Sequence, residues 1–282
     1  MIIAQISDTH ITMEDEARDN RLANLDACLN HINALTKAPD IVIHSGDLSH
    51  NNLEPEYLAV TERMDKLKVP HYFIPGNRDE SSVMRTMFGK RFPLTSHSEH
   101  FSYIIDDFPV RLIALDTTSK TSGLGQFCDD RASFLKEALA MEAQLLGNKP
   151  LAAPLVKPVL IFMHHPPYEV HVSSGPRQYE NWNDAVKFQE IVQAHQGKIR
   201  IICGHVHRNS FGNIGEIATS TMPSVALDLR RKNDPLVVAD EIMYHIHEFG
   251  PDGNCATRLV RAPLPLKEMS RIEHPVPGGM AV

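Results

Sequence analysis

Asp8 and His10, Asp47, Asn77, His164 and His165, and His205 and His207 each stand just beyond a short apolar run. Carboxylate, amide oxygen and imidazole are the donor set that suits Mn, Fe, Zn or Co, and no thiolate stands among them to suggest a Cys-type structural zinc. Taken singly, each is ordinary: Asp-x-His after a strand is usually a turn, and Gly46-Asp47 and Gly76-Asn77 are common turn dipeptides. Two are less so. Pro166 ends the run before it and leaves His164 and His165 at its tip. In Gly204-His-Val-His207, positions i and i+2 of an extended segment point to the same side. The signal lies in the combination and its order.

The elements that must position these groups alternate. Apolar runs at 2–7, 40–45, 71–74, 111–115, 159–163 and 199–203 read as strands. Leu22, Leu25, Leu29, Ile32 and Leu35 recur at spacings of three and four, a helical period, and further helices are expected at 54–67, about 130–146 and 183–195. Strands alternating with helices argue for an α/β fold. In such sheets ligands gather at the carboxyl ends of the strands, where loops held by rigid elements can converge. After Gly204 the rhythm changes to short β segments at 210–214, 216–220 and 224–229. Segments 241–249 and 256–261 flank Gly250-Pro-Asp-Gly-Asn254 and read as a hairpin. Two packed sheets, each covered by helices, in one domain over 1–262 is the expected architecture, with an extended proline-rich tail at 263–282.

Composition narrows the function. The 282 residues are 42% hydrophobic and 22% charged, enough for a sizeable core, and carry a net charge of −7 with no Lys/Arg-rich run. That excludes a basic nucleic-acid surface, so no stable nucleic-acid partner is expected. It leaves room for a phosphate-bearing substrate, because bound metals supply positive charge that composition does not count. Cys28, Cys128, Cys203 and Cys255 form no CxxC pair, the first residues are no signal peptide, and no apolar run approaches ~20 residues. A cytoplasmic protein with no membrane partner is the expectation.

Asp-x-His, Gly-Asp, Gly-Asn, His-His-Pro-Pro and Gly-His-x-His in this order resemble the calcineurin-like metallophosphoesterase superfamily. The His-His-Pro-Pro form and Gly-His-Val-His-Arg208 are similar to its class III branch of cyclic-nucleotide phosphodiesterases and glycerophosphodiesterases. The Leu115-Asp116 strand end, followed by Ser122-Gly-Leu-Gly125, also looks like that branch. The resemblance spans residues 2 to about 230. It implies a four-layer α/β/β/α sandwich of two mixed sheets and a dinuclear centre. Asp8, His10 and His207 would hold one metal, Asn77, His164 and His205 the second, and Asp47 would bridge them. It further implies in-line attack of hydroxide on the phosphorus of a small phosphodiester, of cyclic nucleotide or glycerophosphodiester type. Asn77, Arg78 and His165 would act on the substrate or line its pocket. The late hairpin and tail could form a homodimer contact, in keeping with the family.

One position departs from that pattern. Where the family has Gly-Asn-His, this chain reads Gly76-Asn77-Arg78-Asp79. Arginine stays protonated and cannot protonate a leaving group, but its planar fork can hold phosphoryl oxygens. Alternatively, Arg78 turns away to pair with Asp79 or Glu80. His44 could support a ligand, and the long segment 166–182, with His171, Arg177 and Tyr179, could face substrate as a lid. His245 and His247 alternate on a late strand and are expected on a solvent face. Rival functions are a phosphomonoesterase of the same superfamily and a metal-binding scaffold without catalysis. A Ser/Thr protein phosphatase fits less well, because Gly46-Asp47 is not followed by Val-Asp-Arg-Gly, and a DNA nuclease lacks its basic surface here.

Overall fold

The computed structural model describes residues 1–95, 98–145, 157–170, 172, 175–230 and 241–264. Most of the expected 263–282 tail, together with His97 and His171, lies outside them. The first sheet is built from β1 (Ile2–Ile6), β2 (Ile41–His44) and β3 (His71–Phe73), with α1 (Asp15–Asn33) and α2 (Glu54–Met64) as crossovers. After α3 (Ser81–Phe88) the second sheet begins with β4 (Tyr103–Ile105) and β5 (Arg111–Leu115). It continues through α4 (Asp129–Leu145), β6 (Val159–Met163), α5 (Trp182–Gln193), β7 (Ile199–Cys203), β8 (Ser210–Ile214) and β9 (Ile217–Thr221). The chain then returns to the first sheet as the hairpin β10 (Glu241–Phe249) and β11 (Cys255–Pro263).

The sheets run β11-β10-β1-β2-β3 and β4-β5-β6-β7-β9-β8. β1, β2 and β3 are mutually parallel, as are β5, β6, β7 and β9, while β10, β11, β4 and β8 pair antiparallel. Both sheets are therefore mixed and flanked by helices, the architecture of the metallophosphoesterase sandwich. The two-residue period of the strands partitions the second sheet's side chains. Ile113, Leu115, Ile161, Met163, Ile201 and Cys203 pack in the core under α4 and α5. Leu112, Ala114, Leu160, Phe162 and Ile202 face the other way, into the core shared with the first sheet.

Three expectations change. Residues 224–229 form no strand; Leu227–Leu229 is a short 3-10 turn. α3 follows directly on the Asn77 loop, and no helical period was read there. His245 and His247 are both fully buried rather than on a solvent face. β10 lies between β1 and β11 with both faces covered, so its alternation does not separate core from solvent.

Candidate metal centre

Each candidate ligand follows the carboxyl end of a strand, and five of the seven sit on a sharply turned backbone. Asp8, His10, Asp47, His205 and His207 have φ of 55°, 43°, 55°, 71° and 52°. Among the described residues only Asn52 shares this left-handed conformation without being glycine. Such a position costs roughly 1–3 kcal/mol and persists when its surroundings over-determine it. Here the surroundings are neighbouring loops. Asp8 N donates to Gly46 O at 2.9 Å, His10 N to Asp47 O at 3.0 Å and Ile11 N to Leu48 O at 2.9 Å. Gly46, at φ 102°, is required twice over, since a Cβ there would stand 2.5 Å from His164 Nδ1. A Cβ on Gly204 would stand 2.1 Å from Ser7 Oγ.

The loops bring all seven candidate ligands together. His207 Nε2 is 3.2 Å and His10 Nε2 3.9 Å from Asp8 Oδ1, and the two Nε2 atoms are 3.1 Å apart. On the other side, His164 Nε2 and His205 Nδ1 lie 3.1 and 2.8 Å from Asn77 Oδ1. Between the halves stands Asp47: its Oδ2 is 3.3 Å from His10 Nε2 and 3.5 Å from His164 Nε2. Its Oδ1 accepts from Arg78 N at 2.7 Å, which fixes the carboxylate's orientation.

The chemistry of these contacts calls for cations. His164 Nδ1 must donate to Ser45 O, and His207 Nδ1 to Leu229 O, each at 2.9 Å, because a carbonyl can only accept. Gln178 donates through Nε2 to Gly175 O, so its Oε1 accepts from His205 Nε2 at 3.0 Å. In the neutral form that binds metal, the remaining nitrogen of each ring turns a lone pair toward Asp8, Asp47 or Asn77 oxygen; without a cation between them, His164 and His207 meet these oxygens by holding a proton instead. Lone pairs facing lone pairs across 2.8–3.5 Å are what ligands around a metal look like, and the outward acceptors are the partners that orient ligating histidines. Two Asp/His groups, Asp8-His10-Asp47-His207 and His164-His165-His205, have ligand atoms close enough to hold ions. The residues fit a pair of divalent transition metals.

Electrostatics tell the same story. Burial lowers His10 to about 4, and burial with the neighbouring His165 and His164 drives His205 well below the ordinary value. His164 goes the other way: burial opposes charge, yet the carboxylates of Asp47 and Asp8 hold it up to about 9. The pocket favours positive charge at its centre.

Around the ligands, Arg78 is exposed and no ion pair ties its side chain to Asp79 or Glu80 among the described residues. The Asp79 carboxylate is instead taken by the backbone N–H groups of Leu48, Ser49 and Gly76, which clamps the Asp47 and Asn77 loops together. Asn77 and Arg78 border a cavity of about 1160 Å³ that Arg85, Lys120 and Thr118 also line. His165 is buried, with Nδ1 on Thr117 Oγ1 at 2.9 Å and Nε2 3.3 Å from Gly123 O, and its ring lies 4.5 Å from that of His205. It braces the ligands from behind. His44 acts through Thr9, whose hydroxyl it meets at 2.9 Å. The described part of segment 166–182 is a fixed wall: Gln178 and Glu180 pair with Gly125, Tyr179 is buried and Arg177 pairs with Glu169.

Sequence reasoning missed Gln178, Asp79, Arg21 and Gln5. Arg21 Nη1 donates to His10 O at 2.8 Å while its other nitrogens bind Asp228. Gln5 Nε2 donates to Ser45 Oγ and Cys203 O, tying the ends of β2 and β7 together across the two sheets. His247 Nε2 meets Gln5 Oε1 at 3.0 Å and His245 Nε2 meets Asn209 Oδ1 at 2.8 Å, so both buried histidines brace segments that carry ligands. Nothing local in the sequence marks these roles, because each partner comes from a distant element.

Residues 1–209 match the calcineurin-like phosphoesterase family. The chain belongs to the calcineurin-like metallophosphoesterases. It is 32% identical over 264 residues to a probable glycerophosphodiester phosphodiesterase, GpdQ, of Arcobacter nitrofigilis, covering 91% of this chain and 92% of that protein. A probable cyclic nucleotide phosphodiesterase of Synechococcus is 24% identical, with 91% of each chain covered. In fold, a dimetal phosphatase from Danio rerio aligns with a TM-score of 0.63 at 12% identity, over 94% of this chain and 99% of that one. No helix among the described residues of this metallophosphoesterase is long and apolar enough to cross a membrane.

Proposed function

We propose that this metallophosphoesterase is a dinuclear-metal phosphodiesterase acting on small diesters of the glycerophosphodiester or cyclic nucleotide type. The observation that carries the reading is the position of Asp47 Oδ2, between His10 Nε2 at 3.3 Å and His164 Nε2 at 3.5 Å. A carboxylate there can serve both halves of a two-ion site. Two such ions, when bound, polarise a phosphoryl group and lower the pKa of water toward ~7. The protein's own part is orientation: Arg78 N, Ser45 O, Leu229 O and Gln178 Oε1 hold the ligand atoms in place before any substrate arrives.

Arg78 supports the substrate half of the proposal. Arg78 borders the large cavity, has no carboxylate partner among the described residues, and its guanidinium could take two phosphoryl oxygens of a diester as a fork. It cannot deliver a proton to a leaving alkoxide, so that proton comes from solvent or another group. The coverage of the GpdQ relative ranks glycerophosphodiesters first and cyclic nucleotides second. The four unpaired cysteines support a reducing, cytoplasmic setting.

The test compares bis(p-nitrophenyl) phosphate with p-nitrophenyl phosphate, on metal-stripped protein and after adding Mn, Zn or Fe. Diester cleavage that returns with metal and is lost in Asn77→Ala is the expected result. Preference for the monoester would move the assignment to a phosphatase. Bound metal without hydrolysis of either would favour a scaffold.

A further inference from the structure

Arg200 lies in the middle of the second sheet, its Cα paired with Leu160 of β6 on one side and Ala218 of β9 on the other. Its side chain is 4% exposed. Nη2 donates to Ser220 Oγ at 2.5 Å, Nε has no partner, and no ion pair involves Arg200 among the described residues. The titratable groups that face it are Tyr168, Cys203, Cys255, His245 and His247, none of them a carboxylate. Burial raises the Cys203 thiol far above neutrality and the Cys255 thiol to about 11, so neither supplies a negative charge.

A buried cation without a counter-ion is expensive, and an apolar residue of similar size would pack there without that cost. Its persistence is explained if a counter-ion arrives from outside. A route exists. Arg200 lines a cavity of about 850 Å³ at the end of β7 remote from the metal centre. Lys198 stands on the cavity wall, Phe249 and Ile217 provide apolar surface, and His195 presents a second buried nitrogen, Nε2, without a partner. The one carboxylate on the lining, Glu216, is exposed and makes no ion pair with Arg200. The volume is more than a bare oxyanion needs and falls in the range of small-molecule sites, ~300–1,000 Å³.

We propose that this cavity is a second ligand site, in which Arg200 binds the phosphate group of a small phosphorylated molecule whose organic part rests against Phe249 and Ile217. The guanidinium fork is suited to two phosphate oxygens, and the Lys198 ammonium adds attraction from the wall. The site is separate from the metal centre, so it does not depend on which ester the enzyme hydrolyses.

The test is thermal unfolding of the metal-loaded protein in chloride against inorganic phosphate at matched ionic strength, for wild type and Arg200→Met. Phosphate bound at the metals, and its general salting effect, act on both proteins alike, so the difference between them reports Arg200. With phosphate at ~100 times its dissociation constant, wild type is expected to gain on the order of 5–10 °C more than Arg200→Met. Phenyl phosphate and sulfate then separate a phosphate carried on an organic group, expected to bind more tightly, from a bare oxyanion. Ala218→Leu fills the cavity beside Arg200 and leaves the charge in place; it should abolish the extra gain too. Equal gains in all three proteins would overturn the proposal, as would an extra gain that survives Ala218→Leu.

Discussion

Along β7, a short stretch of strand separates Arg200, a guanidinium with no carboxylate beside it among the described residues, from Gly204, which opens onto Asp8, His205 and His207. At the Gly204 end the outward-facing atoms of His207, His205 and Asp47 have partners in loops, Leu229 O, Gln178 Oε1 and Arg78 N, while His10 Nδ1 has none. At the Arg200 end Nε and the nearby His195 Nε2 have none. The contrast shows two ways of burying polar groups. One end is organised in advance to receive positive charge, with most of its outward partners already in place. The other holds a positive charge and waits for an external anion.

The largest effect that would break this comparison comes from Asp47. Asp47→Ala removes the one carboxylate that, among the described residues, stands between the two halves and should cut diester hydrolysis by more than the ~10–100-fold typical of partners outside the ligand set, measured as kcat/KM with saturating metal. A variant with near wild-type turnover would mean the halves work separately. Next is Arg78→His, which restores a group able to give up a proton. Alkyl diesters with poor leaving groups should gain up to ~10²-fold in kcat, at the low end of general-acid effects, while nitrophenyl diesters change little. An equal change for both would remove Arg78 from leaving-group chemistry.

Gln178→Leu tests the pre-organisation itself. It deletes the acceptor that orients His205 and should weaken metal affinity ~10–100-fold, read by titration with a chelator as competitor. The smallest effect concerns pH. Burial holds His245 down to about 3 and His247 well below its ordinary value, so the unfolded chain binds protons that the fold refuses. Stability is therefore fully present above about pH 6.5 and falls as pH drops toward 3, by up to ~1.4 kcal/mol per pH unit for each histidine. Urea unfolding at pH 7.5, 6 and 5 should show a shallower decline in His245→Gln than in wild type. Parallel declines would mean that His245 is charged or solvated in the fold.

How much of this could be read beforehand follows from what kind of signal each feature leaves. The strand-end placement of Asp8, His10, Asp47, Asn77, His164, His205 and His207 was legible because the residues follow apolar runs directly. The bounds of β5, β6, β7 and β8 were legible for the same reason. His245 and His247 were misread because period-two alternation marks a half-exposed strand, and β10 is covered on both faces. α3 escaped because its eight residues are too few to establish a period. Gln178, Gln5 and Arg21 act across 27, 40 and 11 positions of chain, on partners that only folding brings close. Arg200 was not singled out in the sequence; its isolation from carboxylates among the described residues is a property of the packed sheets alone.

The central claim is that two metal ions share Asp47, and the most direct measurement is metal content per chain after loading and removal of excess ion. Wild type should hold two ions, and Asp47→Ala should fall below two because both halves lose a ligand at once. A wild type that saturates at one ion, or an Asp47→Ala protein that still holds two with undiminished affinity, would contradict the shared centre.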